Sequence, residues 1–194
     1  MRLGPRLAGL RMTPEELDRI PRRAWIGGNR YELVDGVLVV SPPPGNADVD
    51  PNEELGHLLR SYAETHLEGH SLDRTMPERT VPGTPNRRRC DRAVWADLGR
   101  VPDTEVDVPS IVIEFVSSRR RNALRDNERK RDESLAAGVR ECWIIDRFRR
   151  LMTVYRPGPV GPTHEIVTES QTYATPLLPG FLLPLARLLA KADD

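Results

Sequence analysis

The sequence predicts one mixed α/β domain, and three features carry that prediction. Residues 31–40 place an Asp35-Gly36 pair between two β-rich runs. Such a pair marks a two-residue hairpin turn, because both turn positions need φ > 0. Leu55, Leu58, Leu59 and Tyr62 recur at helical spacing and form one buried stripe. The stretch Ile111-Val112-Ile113-Glu114-Phe115-Val116 is a near-continuous apolar run suited to a central strand covered on both faces. At 194 residues the chain is long enough for one real core. No repeat, low-complexity tract or obvious linker divides it.

The elements follow in order. Residues 13–20 read as a short helix, with Thr13 as N-cap, Pro14 at the first position and Glu16 closing a capping box. The hairpin comes next. Residues 41–46, with three prolines and a glycine, are a loop. Asp50 and Pro51 signal the start of a second helix, and Gly69 its end. A weaker stretch over 71–86 holds one strand near residues 78–81. Residues 90–96 read as a strand, 101–109 as an acidic loop, and 111–116 as the central strand. Residues 122–137 are helical by composition, ending at Gly138. Strands over 140–146 and 151–156 follow, with a further one over 164–168. Residues 176–189 form a turn and an apolar, partly helical tail. Residues 1–11 contain arginines but no continuous apolar core, so they are a poor signal peptide. They are expected as a disordered N-terminal extension to a single domain over residues 12–194.

Bulk properties narrow the function. Apolar content is 38% and charged content 30%, within the range of a globular protein. The formal net charge is zero, which argues against a protein held to nucleic acid by bulk charge alone. Local positive charge remains in Arg87-Arg88-Arg89 and in Arg119, Arg120 and Arg121. Cys90 and Cys142 form no CxxC pair and read as buried thiols. No apolar stretch is long enough for a bilayer, and the expected compartment is the cytoplasm. There is no GxxxxGK[ST], GxGxxG or GxSxG signature, so P-loop, dinucleotide and hydrolase-elbow chemistries are unsupported. His66 and His70 have the i, i+4 spacing of paired metal ligands, yet no third ligand accompanies them.

Asp91, Glu114 and Lys130 are the candidate chemical residues. Glu114 interrupts an apolar strand, and a buried carboxylate is costly to ionise without a cation or proton partner. Lys130 is one of two lysines beside 27 arginines. A compact ammonium there does what a planar guanidinium does not. Two carboxylates at the ends of neighbouring strands can hold Mg²⁺, which prefers oxygen ligands and keeps positions for water and phosphate. Glu32, in the hairpin, offers another acid at the rim. Each has a plainer reading. Glu114 pairs with an arginine, Asp91 bonds to backbone, and Lys130 is an exposed partner of Asp126 one turn earlier.

One resemblance spans the ordered set Tyr31-Glu32-Leu33-Val34-Asp35-Gly36, Asp91, Ile113-Glu114-Phe115-Val116-Ser117, Asp126 with Lys130, and Gly138-Val139 with Trp143-Ile144-Ile145-Asp146. The closing stretch is Pro176-Leu177-Leu178-Pro179-Gly180-Phe181. The set resembles the Uma-two family, restriction endonucleases of the PD-(D/E)XK nuclease superfamily, over nearly the whole chain. The resemblance implies a restriction-endonuclease-like fold with a mixed central sheet flanked by helices. It implies that Asp91 and Glu114 bind the metal, Mg²⁺ or alternatively Mn²⁺. The superfamily's usual lysine position is Val116 here, and Lys130 matches the family's migrated lysine. Glu32 matches its hairpin glutamate. Cys90, Ser134, Cys142 and Pro51 replace a proline, an aromatic, a tyrosine and a histidine of the family.

The expected function is metal-dependent DNA hydrolysis. Asp91 and Glu114 hold the metal, Lys130 assists water attack, and Glu32 is an accessory acid. Arg119, Arg120 and Arg121 follow the Glu114 strand and are candidate DNA-backbone contacts. The lost aromatic and histidine motivate the alternative, a non-catalytic nucleic-acid or protein-binding module. A homodimer is expected by analogy, since double-strand cutters use two sites.

Overall fold

Thr13 caps the first helix, α1 (Pro14–Asp18), as the sequence predicts. Its side chain accepts from the Glu16 N–H, and the Glu16 carboxylate takes the Thr13 N–H in return. The computed structural model describes residues 4–116 and 123–193. The hairpin is β1 (Arg30–Val34) and β2 (Val37–Ser41), with Asp35 at φ 52° and Gly36 at φ 73°. Both turn residues lie in the left-handed region that an Asp-Gly pair tolerates.

The described part of the expected extension, residues 4–11, lies along β2. Gly9 N–H donates to Leu38 O at 2.8 Å, Leu38 N–H to Leu10 O at 2.8 Å and Met12 N–H to Gly36 O at 2.9 Å. Leu7 packs on a small core of Leu17, Tyr31, Leu33 and Leu38. An open strand edge holds unpaired backbone groups, and this segment satisfies them.

Helix α2 (Asn46–Thr65) begins about one turn before Asp50, with Gly45 at the N-cap and Pro51 inside the helix. The carbonyl that loses its partner is that of Ala47 in the first turn, so the disruption stays at the helix end. Strand β3 (Leu72–Thr80) is longer than the sequence suggests. Pro77 interrupts its β-signal, and β3 is an edge strand, where a proline is tolerated.

Strands β4 (Arg89–Ala96), β5 (Ile111–Phe115), β6 (Glu141–Asp146), β7 (Leu151–Arg156) and β8 (Thr163–Thr168) complete a six-stranded sheet in the order β3-β4-β5-β6-β7-β8. Only β5 and β6 are parallel, and the crossover between them carries α3 (Ala123–Ala136). The mixed central sheet flanked by helices is the expected fold. A small pair, β9 (Thr172–Ala174) with β10 (Leu182–Pro184), leads into α4 (Leu185–Ala190).

Alternation along the central strands builds two cores. Ile111, Ile113, Trp143 and Ile145 face Leu55 and Leu59 of α2 and Leu185, Leu188 and Leu189 of α4. Val112, Cys142, Ala93 and Trp95 face the other side, with Leu135 of α3. A period of two therefore puts Glu114 on the face of Val112, beneath α3. Arg92, fully buried, turns towards α2. Its Nε donates to Asn52 Oδ1 at 2.7 Å and its Nη2 to Asn52 O at 2.8 Å. Gly56 makes room for that guanidinium, because a Cβ there would stand 2.6 Å from it.

Candidate active site

Antiparallel pairing brings the end of β5 beside the start of β4, so Glu114 and Asp91 meet at one end of the sheet. Asp91 Oδ2 accepts from the Phe115 N–H at 2.8 Å, which locks the first acid onto the strand that carries the second. The Asp91 carbonyl accepts from Asn52 Nδ2 at 2.9 Å, so α2 also holds this strand end in place.

Glu114 is buried, and the loss of hydration pushes its carboxyl up to about 8. Lys130 opposes that rise, and the negative charges of Asp91 and Glu32 reinforce it. Lys130 comes from α3 with its ammonium buried beneath the helix. Nζ donates to Arg89 O at 2.8 Å and to Glu114 Oε2 at 3.1 Å, and lies 3.5 Å from Glu32 Oε1. Its burial overturns the reading of Lys130 as an exposed partner of Asp126, which takes Arg88 Nη1 at 2.6 Å.

Glu32 reaches the site because β1 docks beside the entry to β4. Leu33 and Arg87 exchange backbone hydrogen bonds of 3.1 and 3.0 Å, and Glu32 Oε1 accepts from the Arg89 N–H at 3.0 Å. Side chains fasten the hairpin to α3. Arg129 pairs with Asp35, and Asn86 bridges the joint: its amide donates to Glu133, and its carbonyl oxygen accepts from the Asp35 N–H.

Glu32, Asp91, Glu114 and Lys130 thus converge from four separate elements. Arg119, Arg120 and Arg121 lie outside the described residues. His66 stacks on Tyr62 at 5.1 Å between ring centroids and has no part in the site. Cys90 and Cys142 are buried free thiols, and burial pushes the Cys90 thiol up to about 12. A buried thiol so raised is a poor nucleophile at neutral pH.

Two residues join the site that sequence reasoning missed. Arg30 donates from Nε to Glu78 Oε1 at 2.8 Å, while its Nη1 lies 3.0 Å from Asp91 Oδ1. Glu78 also lies 3.4 Å from Arg89 Nη2. The signal for Glu78 is its backbone: φ is 52°, unusual for a non-glycine residue within a strand. An open cleft of about 650 Å³ adjoins this corner, lined by Trp25, Tyr31, Glu78, Arg79, Arg87 and Arg89 among others.

The donor set fits a hard divalent cation. Asp91 and Glu114 offer carboxylate oxygens close enough for the charge of one to act on the other. A buried carboxyl whose proton affinity stays high beside a lysine retains an appetite for more positive charge. Among the described residues no third His, Cys, Asp or Glu completes an all-protein cage. That suits Mg²⁺, which commonly takes one or two carboxylates and leaves its other positions to water and phosphate.

Comparison with known proteins bears on the fold and the family. A crystal structure described as "a putative nuclease belonging to DUF820 from Anabaena variabilis" superposes with a TM-score of 0.71 at 18% identity, covering 93% of this chain and 99% of that one. No curated protein matches the sequence. The Uma2 family model, described as "Putative restriction endonuclease", matches residues 14–186. The chain, with its paired strand-end acids and buried helix lysine, belongs to the Uma2 family.

Proposed function

We propose that the protein is a metal-dependent endodeoxyribonuclease that hydrolyses phosphodiester bonds. The observation that carries this reading is the convergence of Asp91, Glu114, Lys130 and Glu32 at one sheet end. Asp91 and Glu114 would hold Mg²⁺, or Mn²⁺ in its place. The ion would supply Lewis acidity towards a phosphate oxygen and the attacking water. Lys130, whose Nζ faces Glu114, would assist the water's attack and offset the negative charge that builds on the phosphate oxygens. Glu32 is a positioning residue. It holds the ammonium from the far side and takes the Arg89 N–H, fixing where Lys130 points. The adjoining cleft gives a DNA strand a route to the acids, with arginines for its backbone. Cutting both strands of a duplex at once with one such site per chain would take a homodimer.

The test is plasmid nicking with Mg²⁺, with Mn²⁺ and with EDTA. Wild type should nick only with metal, and Glu114→Ala and Lys130→Ala should each lose activity about 100-fold or more. A folded wild type that binds DNA without cutting under any of these conditions would sink the catalytic reading in favour of a binding module.

A further inference from the structure

Asp91 already carries a cation. The guanidinium of Arg30 spans two acids: Nε and Nη2 lie 2.8 and 2.6 Å from Glu78 Oε1, and Nη1 lies 3.0 Å from Asp91 Oδ1. The other Asp91 oxygen is committed to the Phe115 N–H. A divalent ion on Asp91 therefore joins a carboxylate that Arg30 already holds. Two cations on one carboxylate repel each other.

Glu78 explains why Arg30 would not simply drift away. The register pairs Pro77 with Arg92 and Arg79 with Cys90, which sets Glu78 opposite Asp91 across the β3–β4 ladder. Its positive φ is a departure held in place by the surrounding fold, of the kind that clusters at working sites. Glu78 grips the Nε edge of the guanidinium and leaves the Nη1 end directed at the site. The Arg30 side chain is 23% exposed, so it is not sealed into the core.

Charge balance points the same way. Among the described residues, four carboxylates (Glu32, Glu78, Asp91, Glu114) meet three cations (Arg30, Arg89, Lys130). With all four acids ionised, a dication leaves the cluster one positive charge in excess, and a phosphodiester removes that excess. We propose that Arg30 is a displaceable counter-ion: its Nη1 end neutralises Asp91 until a divalent cation takes that carboxylate, and then binds a non-bridging oxygen of the scissile phosphate. Glu78 is the pivot that holds the other edge throughout. This inference rests on the nuclease reading and adds to it a residue that couples metal loading to substrate.

The experiment is calorimetric titration of Mn²⁺ into DNA-free wild type, Arg30→Ala and Arg30→Gln, with plasmid nicking at saturating Mn²⁺. Both variants should bind Mn²⁺ about 10-fold more tightly, because the competing cation is gone. Both should nick about 100-fold more slowly, because a donor to the phosphate is lost. Arg30→Gln retains an amide to bond Glu78 and serves if the alanine variant does not fold. Arg30→Lys keeps the charge and loses the fork, so it should bind Mn²⁺ like wild type and still nick slowly. Unchanged or weaker Mn²⁺ affinity in a folded Arg30 variant, or nicking at the wild-type rate, overturns the role of Arg30 alone. A wild type that neither binds Mn²⁺ nor nicks overturns the nuclease reading together with it.

Discussion

Among the described residues Lys130 meets three acceptors and is buried, so its removal takes a cation from two buried acids, Glu32 and Glu114. Lys130→Met should lower unfolding stability by roughly 3–5 kcal/mol in urea titrations at pH 9, the usual result of stripping one partner from a buried pair. The loss should shrink at pH 6, where Glu114 keeps its proton. Glu114 has a folded pKa near 8, above the ordinary 4.5. Between those values the folded protein holds a proton that the unfolded chain has released, so this group makes stability fall as pH rises from about 4.5 to about 8. Glu114→Gln removes that dependence. Its melting temperature should gain on wild type between pH 5 and pH 9, and a constant difference across that range would contradict the burial argument. The same proton competes with metal, so Mn²⁺ affinity of wild type should increase with pH up to about 8. At this scale much of the site was legible. Asp91, Glu114 and Lys130 stand in a recognisable order, and an acid inside an apolar strand announces itself. Arg30 was not legible, because its partner Glu78 lies 48 positions away and nothing local in an arginine-rich chain marks one guanidinium from another.

The contact between α2 and β4 shows how an element places a chemical group it does not carry. Asn52 binds Arg92 through its oxygens and the Asp91 carbonyl through its amide, so helix position and strand end are set together. Gly56→Ala would push a methyl against the fully buried Arg92 guanidinium. The expected cost is roughly 1–3 kcal/mol of stability, the range for overpacking a filled site. Nicking should fall as well, because the strand start that carries Asp91 shifts. A variant with wild-type melting and wild-type nicking would show that the guanidinium gives way freely. Element boundaries were less legible than element types. Asp50-Pro51 has the form of a helix start, but Gly45 supplies the N-cap and the proline is absorbed in the second turn. Pro77 and the polar run of β3 conceal a nine-residue strand whose edge position excuses them. The hairpin and the central strand follow short-range rules, Asp-Gly turn chemistry and apolar continuity, and they stand where those rules put them.

For the whole molecule, zero net charge and a concentrated cluster of acids describe a protein whose stability should respond to a dication more than to salt in general. Mn²⁺ binding only the folded state would raise the melting temperature by mass action, worth about 2.7 kcal/mol at a hundredfold excess over Kd. Asp91→Ala should abolish that rise while leaving the effect of NaCl unchanged. An equal Mn²⁺ response in wild type and variant would place the binding elsewhere. No helix among the described residues is long and apolar enough to cross a membrane.

The clasp between the hairpin and α3 has a consequence in time. Hairpins close within microseconds from neighbouring residues, whereas Arg129 meets Asp35 across 94 positions of sequence. A nascent chain therefore carries Glu32 long before Lys130 has been synthesised, and Asp91 before Glu114 is in register beside it. On the nuclease reading, a ribosome-bound or truncated fragment is harmless to the genome that encodes it. On that reading the capacity to cut arrives only when the crossover helix seats on the hairpin.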